Sequence, residues 1–147
     1  MGQLLRSDIL QALRTPAGQR LLERAAGLAG DPFAAQKLRD EASPEMAAAA
    51  VEQVRLRARA AARFSHPERM WFSPGLLEQA SGEAAAQHHA RRFEPWRERW
   101  IGDFCCGLGA DTAALAAVGK VAALDRDPLA LALTAANAEA AGVRHRV

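Results

Sequence analysis

Between Trp100 and Asp127 the chain reads WIGDFCCGLGADTAALAAVGKVAALDRD, and no other stretch restricts the fold as tightly. Residues 100–104 are strand-like and run into Cys105-Cys106-Gly107. A short helix over 113–118 is stopped by Gly119, and 120–124 reads as a second buried strand. Asp127-Pro128 then opens a helix to about residue 141, with Leu129, Leu133, Ala136 and Ala140 on one face and Gly142 to end it. Residues 143–147 read as the start of a third strand. Strand, helix, strand, helix, strand with short connections implies a parallel sheet with right-handed crossovers.

The preceding chain has a different texture. Three Xaa-Pro helix starts, at Thr15-Pro16, Asp31-Pro32 and Ser43-Pro44, mark a small helical bundle. Ser7-Asp8 is expected to cap a helix through Leu13, and Gln19 sits near the capping-box place after Thr15. The longest helix is expected from Ser43 to about Arg63, with Met46, Ala47, Ala50, Val51, Val54, Ala58 and Ala61 facing the core. Residues 69–73 are short, aromatic and extended; helices are expected over about 74–80 and on to about 91, followed by a linker over 93–99. The domain boundary falls in that linker: a helical domain over 1–95, then 96–147. The fold class is α/β, an N-terminal all-α helical domain followed by the first half of a Rossmann-like parallel-sheet domain.

The central stretch also defines a chemistry. Gly107 and Gly109 let the backbone turn sharply and a ligand come close. Helix N-termini after parallel strands present N–H groups that bind carboxylate or phosphate. Asp103 stands at the end of the first strand, and Asp125 ends the second, where a carboxylate can take both hydroxyls of a ribose. A dinucleotide would lay its pyrophosphate beside Asp103 and Asp111, which repel it, and the third glycine of its fingerprint would fall on Thr112. S-adenosylmethionine (SAM) instead brings an ammonium and a sulfonium to Asp103 and a carboxylate to the turn. The residues favour SAM over a nicotinamide cofactor, and an NAD(P)-dependent oxidoreductase is the alternative enzyme class.

The run over 103–143 resembles the glycine motif and following acidic motif of class I SAM-dependent methyltransferases. It is similar to the RNA cap guanine-N2 (trimethylguanosine synthase-like) branch and to bacterial enzymes carrying a THUMP-like domain. Met70-Trp71-Phe72-Ser73-Pro74 resembles the W-F-S stretch that precedes the core there. The likeness covers about residues 70–147, and 1–65 fit the helical part of the bacterial group less specifically. It implies that Asp103, Cys106, Gly107, Leu108 and Gly109 line the methionine end of SAM, with Asp111 beside them. It further implies that Asp125 holds the ribose, that Arg126 flanks the adenine, and that Phe72 and Ser73 close over the cofactor. RNA modification by N-methylation is the implied activity. The catalytic Pro-Pro-aromatic turn of such enzymes does not occur in the sequence and is expected beyond Val147, so these residues alone are expected to be inactive.

Other features have plainer readings. Asp111 precedes a helix and is expected to cap it. Cys105 and Cys106 fit a tight turn, cannot easily pair with each other, and suit a reducing cytosol. Arg55, Arg59 and Arg63 recur every four residues as a basic stripe that could meet RNA phosphates, as in a non-catalytic RNA- or partner-binding helical module; a solvated face is the default. The net charge of +2 is too small to imply nucleic acid by itself. His88 and His89 point apart on a helix, against a metal site. The first thirteen residues carry Arg6 and Asp8 where a signal peptide is apolar, and no run suits a membrane span, so a cytoplasmic protein is expected. Oligomeric state is not legible.

Overall fold

The computed structural model describes residues 4–147. The chain divides into two compact units, Met1–Arg59 and Ala60–Val147. The division thus falls at the end of the longest helix, whereas the change of texture in the sequence is at 93–99. The cause is that the helix before that linker belongs to the packing of the second unit.

The first unit holds α1 (Ser7–Arg14), α2 (Pro16–Gly27), α3 (Ala34–Lys37) and α4, which ends on the boundary (Pro44–Ala60). Thr15 caps α2 by accepting from the Gly18 N–H at 3.2 Å, with Pro16 at the first helical position. The Gln19 side chain does not close a capping box; its amide donates to the Leu13 carbonyl at 2.8 Å and so caps the end of α1. Ser7 lies inside α1, and Asp8 pairs with Arg6 at 2.9 Å instead of capping. Asp31 does open its turn, accepting from the Phe33 N–H at 2.8 Å. Ser43 caps α4 through the Met46 N–H at 3.3 Å.

Two expectations for α4 change. It stops at Ala60, three residues short of Arg63. Ala47, Ala50 and Val51 are buried as expected, but the buried face continues through Gln53, Leu56 and Ala60, while Ala58 and Ala61 are exposed. The apolar periodicity is ambiguous in so alanine-rich a helix, because Ala fits either face.

The second unit contains α5 (Pro74–Gln79), α6 (Glu83–Arg91), β1 (Trp100–Phe104), α7 (Ala110–Val118), β2 (Lys120–Leu124) and α8 (Pro128–Ala140). The strands pair in parallel, Ile101 opposite Val121 and Asp103 opposite Ala123. Ile101 and Val121 are buried with Leu115 and Ala116 of α7 and Ala90 of α6, and these side chains form the core of the α/β part. Asp127 caps α8 by accepting from the Leu129 N–H at 2.9 Å. Gly142 ends the last turn with φ +74°.

The expected third strand does not form. Arg144–Arg146 is a 3-10 turn, and β1 and β2 make a two-stranded sheet among the described residues. The segment does not add to a free edge of the sheet; it turns back on α7, where the Arg146 guanidinium donates to the Ala116 carbonyl at 3.1 Å. Helices cover one face of the sheet. On the other, Trp100, Phe104 and Leu124 are exposed, with Phe104 at 75%. Parallel sheets are ordinarily covered on both faces.

Candidate functional site

The site lies where β1 and β2 end together. After Phe104 the chain must reverse into α7, and Cys105, Gly107 and Gly109 do this with φ of 64°, 60° and 84°. Left-handed backbone costs a non-glycine residue about 1 kcal/mol, and Cys105 bears that cost at the turn. The ladder is extended by the Cys106 N–H, which donates to the Leu124 carbonyl at 3.1 Å. The Gly109 N–H closes the turn on the Cys106 carbonyl at 2.9 Å. Gly109 has a second constraint: a Cβ there would stand 2.9 Å from the Thr134 Cα of α8. The left-handed Gly109 caps α7, so the helix starts three residues earlier than expected, at Ala110.

Asp125 pins this turn from the neighbouring strand. One carboxylate oxygen accepts from the Gly107 N–H at 3.0 Å, the other from the Asp127 N–H at 3.0 Å. Those bonds, from Asp127 first and Gly107 second, hold its pKa below the ordinary value. Each oxygen keeps a further lone pair for a ligand hydroxyl. Asp103 is half-buried and accepts the Thr112 hydroxyl. Burial pushes its pKa up, the Thr112 bond opposes this, and the nearby Asp111 and Asp125 charges add to the rise. Thr112 is fully buried at the position where a dinucleotide turn would have its third glycine.

Asp111 does not cap α7. It is the second helical residue, and its carboxylate meets His89 Nδ1 of α6 at 2.7 Å, tying the two helices together. Three carboxylates therefore surround the turn, Asp103, Asp111 and Asp125, and give it a field that attracts cations and repels phosphate. Cys106 is buried, and its Sγ accepts the Thr134 hydroxyl at 3.3 Å. Burial raises its pKa, which makes it a poor nucleophile.

Of the ten candidate residues, Asp103, Cys106, Gly107, Leu108, Gly109, Asp111 and Asp125 gather around the strand ends. Arg126 follows Asp125 and is exposed. Phe72 and Ser73 are buried, at 0% and 3%. Phe72 stacks against Phe64 with ring centroids 5.9 Å apart. The segment is nevertheless tied to the site. Asn137 of α8 binds the backbone of Trp71 in both directions and donates to the Leu108 carbonyl at 2.8 Å.

Thr134 and Asn137 were not singled out by the sequence. Their one signal is that they are polar, three residues apart, within the apolar face of α8, where both are buried at 2%.

Residues 7–60 match a family model described as a domain of unknown function (DUF8688). That match covers the helical first unit and stops before the strand-end site. No curated protein and no solved structure matches the chain.

Of the basic stripe, Arg55 and Arg59 are exposed on α4. Arg63 lies beyond the end of α4, and its guanidinium donates to the Leu77 carbonyl at 2.7 Å and to the Ala80 carbonyl, capping the end of α5. Among the described residues no group of three or more His, Cys, Asp or Glu could hold a metal, and no helix is long and apolar enough to cross a membrane.

Proposed function

We propose that the strand-end site binds S-adenosylmethionine and is the methyl-donor side of a class I methyltransferase, with a Rossmann-like domain begun by β1, α7, β2 and α8. One observation carries the reading: two carboxylates at the ends of adjacent parallel strands flank a two-glycine turn, with Asp125 bonded to the Gly107 N–H.

The residues present fit SAM better than a nicotinamide dinucleotide. Asp103 offers a carboxylate to an ammonium, and the α7 N-terminus offers N–H groups to a carboxylate. Asp125 keeps lone pairs for ribose hydroxyls. A pyrophosphate on the same turn would meet the charges of Asp103 and Asp111, and Thr112 fills the place of the third glycine. The uncovered face of the sheet and its free edges fit a wider sheet of that kind.

When bound, SAM supplies a methyl group on a sulfonium for in-line attack by a nucleophile. The protein's part is positioning in a polarised pocket. Asp103 fixes the amino-acid end, Asp125 fixes both the turn and the ribose, and Asn137 fixes the turn to α8. RNA as the acceptor, with nitrogen as the methylated atom, rests on the likeness of residues 70–147 to RNA methyltransferases. Calorimetric titration of the full chain with SAM and with NAD tests the cofactor. Binding of SAM that is lost in Asp125→Ala supports the proposal. Binding of NAD in its place overturns it.

A further inference from the structure

The helices of the second unit form a trough that meets the strand-end site at Gly109, Ala110 and Asn137. Its floor is one face of α7, Ala110, Ala113, Ala114 and Ala117, at helical steps of three and four. Ala86 and Ala90 of α6 make one wall, and Ala140 and Val143 at the end of α8 make the other. Because the floor and walls are mostly alanine, the helices enclose space instead of filling it, and the cavity holds about 660 Å³. That lies within the range of small-molecule sites, which are mostly apolar with a few polar groups to orient the ligand.

The polar groups here are unevenly engaged. Glu83 lines the trough, but one of its oxygens accepts from the Ser65 N–H at 2.6 Å and the other from Gln87 at 3.3 Å. His66, also on the lining, pairs with Glu68 at 3.4 Å. Arg69 and Arg91 line it too, and the structure gives neither guanidinium a side-chain hydrogen bond or ion pair among the described residues. The trough therefore combines an apolar body with two uncommitted cations whose fork geometry suits a carboxylate.

We propose that this trough binds a free amphiphilic carboxylic acid, its chain along the α7 alanines and its carboxylate on Arg69 and Arg91. The site is independent of the methyl-donor reading, although Gly109 and Ala110 border both. A chain of about ten carbons is a suitable size, since each buried methylene contributes about 0.8 kcal/mol.

The test is calorimetric titration of the full chain with decanoate, below its micelle-forming concentration, and with decyltrimethylammonium as the cationic chain of equal length. One decanoate per chain is expected, bound at least about tenfold more tightly than the cation, which corresponds to a single charged hydrogen bond. Arg69→Glu with Arg91→Glu is expected to weaken decanoate about tenfold or more without altering the helical circular dichroism. Ala117→Trp, at an exposed lining position, is expected to block the chain of either probe. Equal affinity for the two probes, or decanoate binding unchanged in both variants, would mean an adventitious additive only and overturns the proposal.

Discussion

The side chain of Asn137 pairs with the backbone of Trp71, 66 residues away, as a neighbouring strand would: it accepts from the Trp71 N–H at 2.7 Å and donates to the Trp71 carbonyl at 3.0 Å. Its second amide hydrogen goes to the Leu108 carbonyl at 2.8 Å. One buried amide thus joins the extended segment before α5, the glycine turn and α8. Removing it leaves three buried backbone groups without that partner. Asn137→Ala is expected to destabilise the second unit by about 3 kcal/mol, given about 1 kcal/mol or more for each group left unsatisfied. Denaturant unfolding measures this. A loss below about 1 kcal/mol would show that water replaces the amide.

The two turn glycines are expected to differ in tolerance. A Cβ at Gly107 would meet nothing closer than 3.9 Å, so Gly107→Ala incurs only the left-handed backbone cost of about 1 kcal/mol. At Gly109 the same cost is joined by a clash with the backbone of α8, 2.9 Å from the new atom. Gly109→Ala is expected to destabilise by at least about 2 kcal/mol, since overpacking adds its own penalty. Thermal unfolding of both variants gives the ranking, and the reverse order would contradict the packing of α8 on the turn.

Asp103 and Asp125 are expected to give opposite pH dependences. The folded-state pKa of Asp103 lies above its ordinary 3.8, so folding favours the protonated form. Its contribution to stability is fully present below that value and is lost as pH rises through the folded pKa. Asp103→Asn keeps an acceptor for Thr112 and is expected to raise the melting temperature at neutral pH, with the gain vanishing in acid. Asp125 has a lowered folded pKa, so its contribution is present above 3.8 and is lost as pH falls through the folded value. Asp125→Asn is expected to be less stable at neutral pH, with the difference closing in acid. Melting curves of the two variants against pH check both signs.

Arg63 is expected to behave as a structural residue. Arg63→Ala removes its bonds to the Leu77 and Ala80 carbonyls at the end of α5. A loss of about 1–2 kcal/mol is expected, because the donor is charged. The salt dependence of any RNA binding by the folded variant should be unchanged, whereas a slope shallower by about one unit would place Arg63 on phosphate.

Much of this architecture was legible because local signals and burial agree. The spans 100–104 and 120–124 read as strands and are strands, since Ile101 and Val121 sit at apolar centres bounded by Gly119 and the Cys-Cys-Gly turn. Asp103, Gly107, Gly109 and Asp125 could be picked out by their spacing, which a strand-turn-helix unit enforces. What escaped depends on distant partners. Residues 143–147 look strand-like in isolation, but Arg146 is held by the Ala116 carbonyl of α7, a contact across 30 residues. The face of α4 is legible through Val51 but not beyond it, because alanine reports no direction and the buried Gln53 looks like a surface residue in sequence. Thr134 reaches Cys106 across 28 residues, Asn137 reaches Trp71 across 66, and nothing local announces either bond.

The most direct measurement is calorimetric titration of the full chain with S-adenosylmethionine, repeated on Asp125→Ala. The account predicts one SAM bound per chain and a loss of at least about tenfold in affinity in the variant, from the ribose hydrogen bonds and the loosened Gly107 turn. A folded chain that binds no SAM, or binds it equally well without the Asp125 carboxylate, would contradict it.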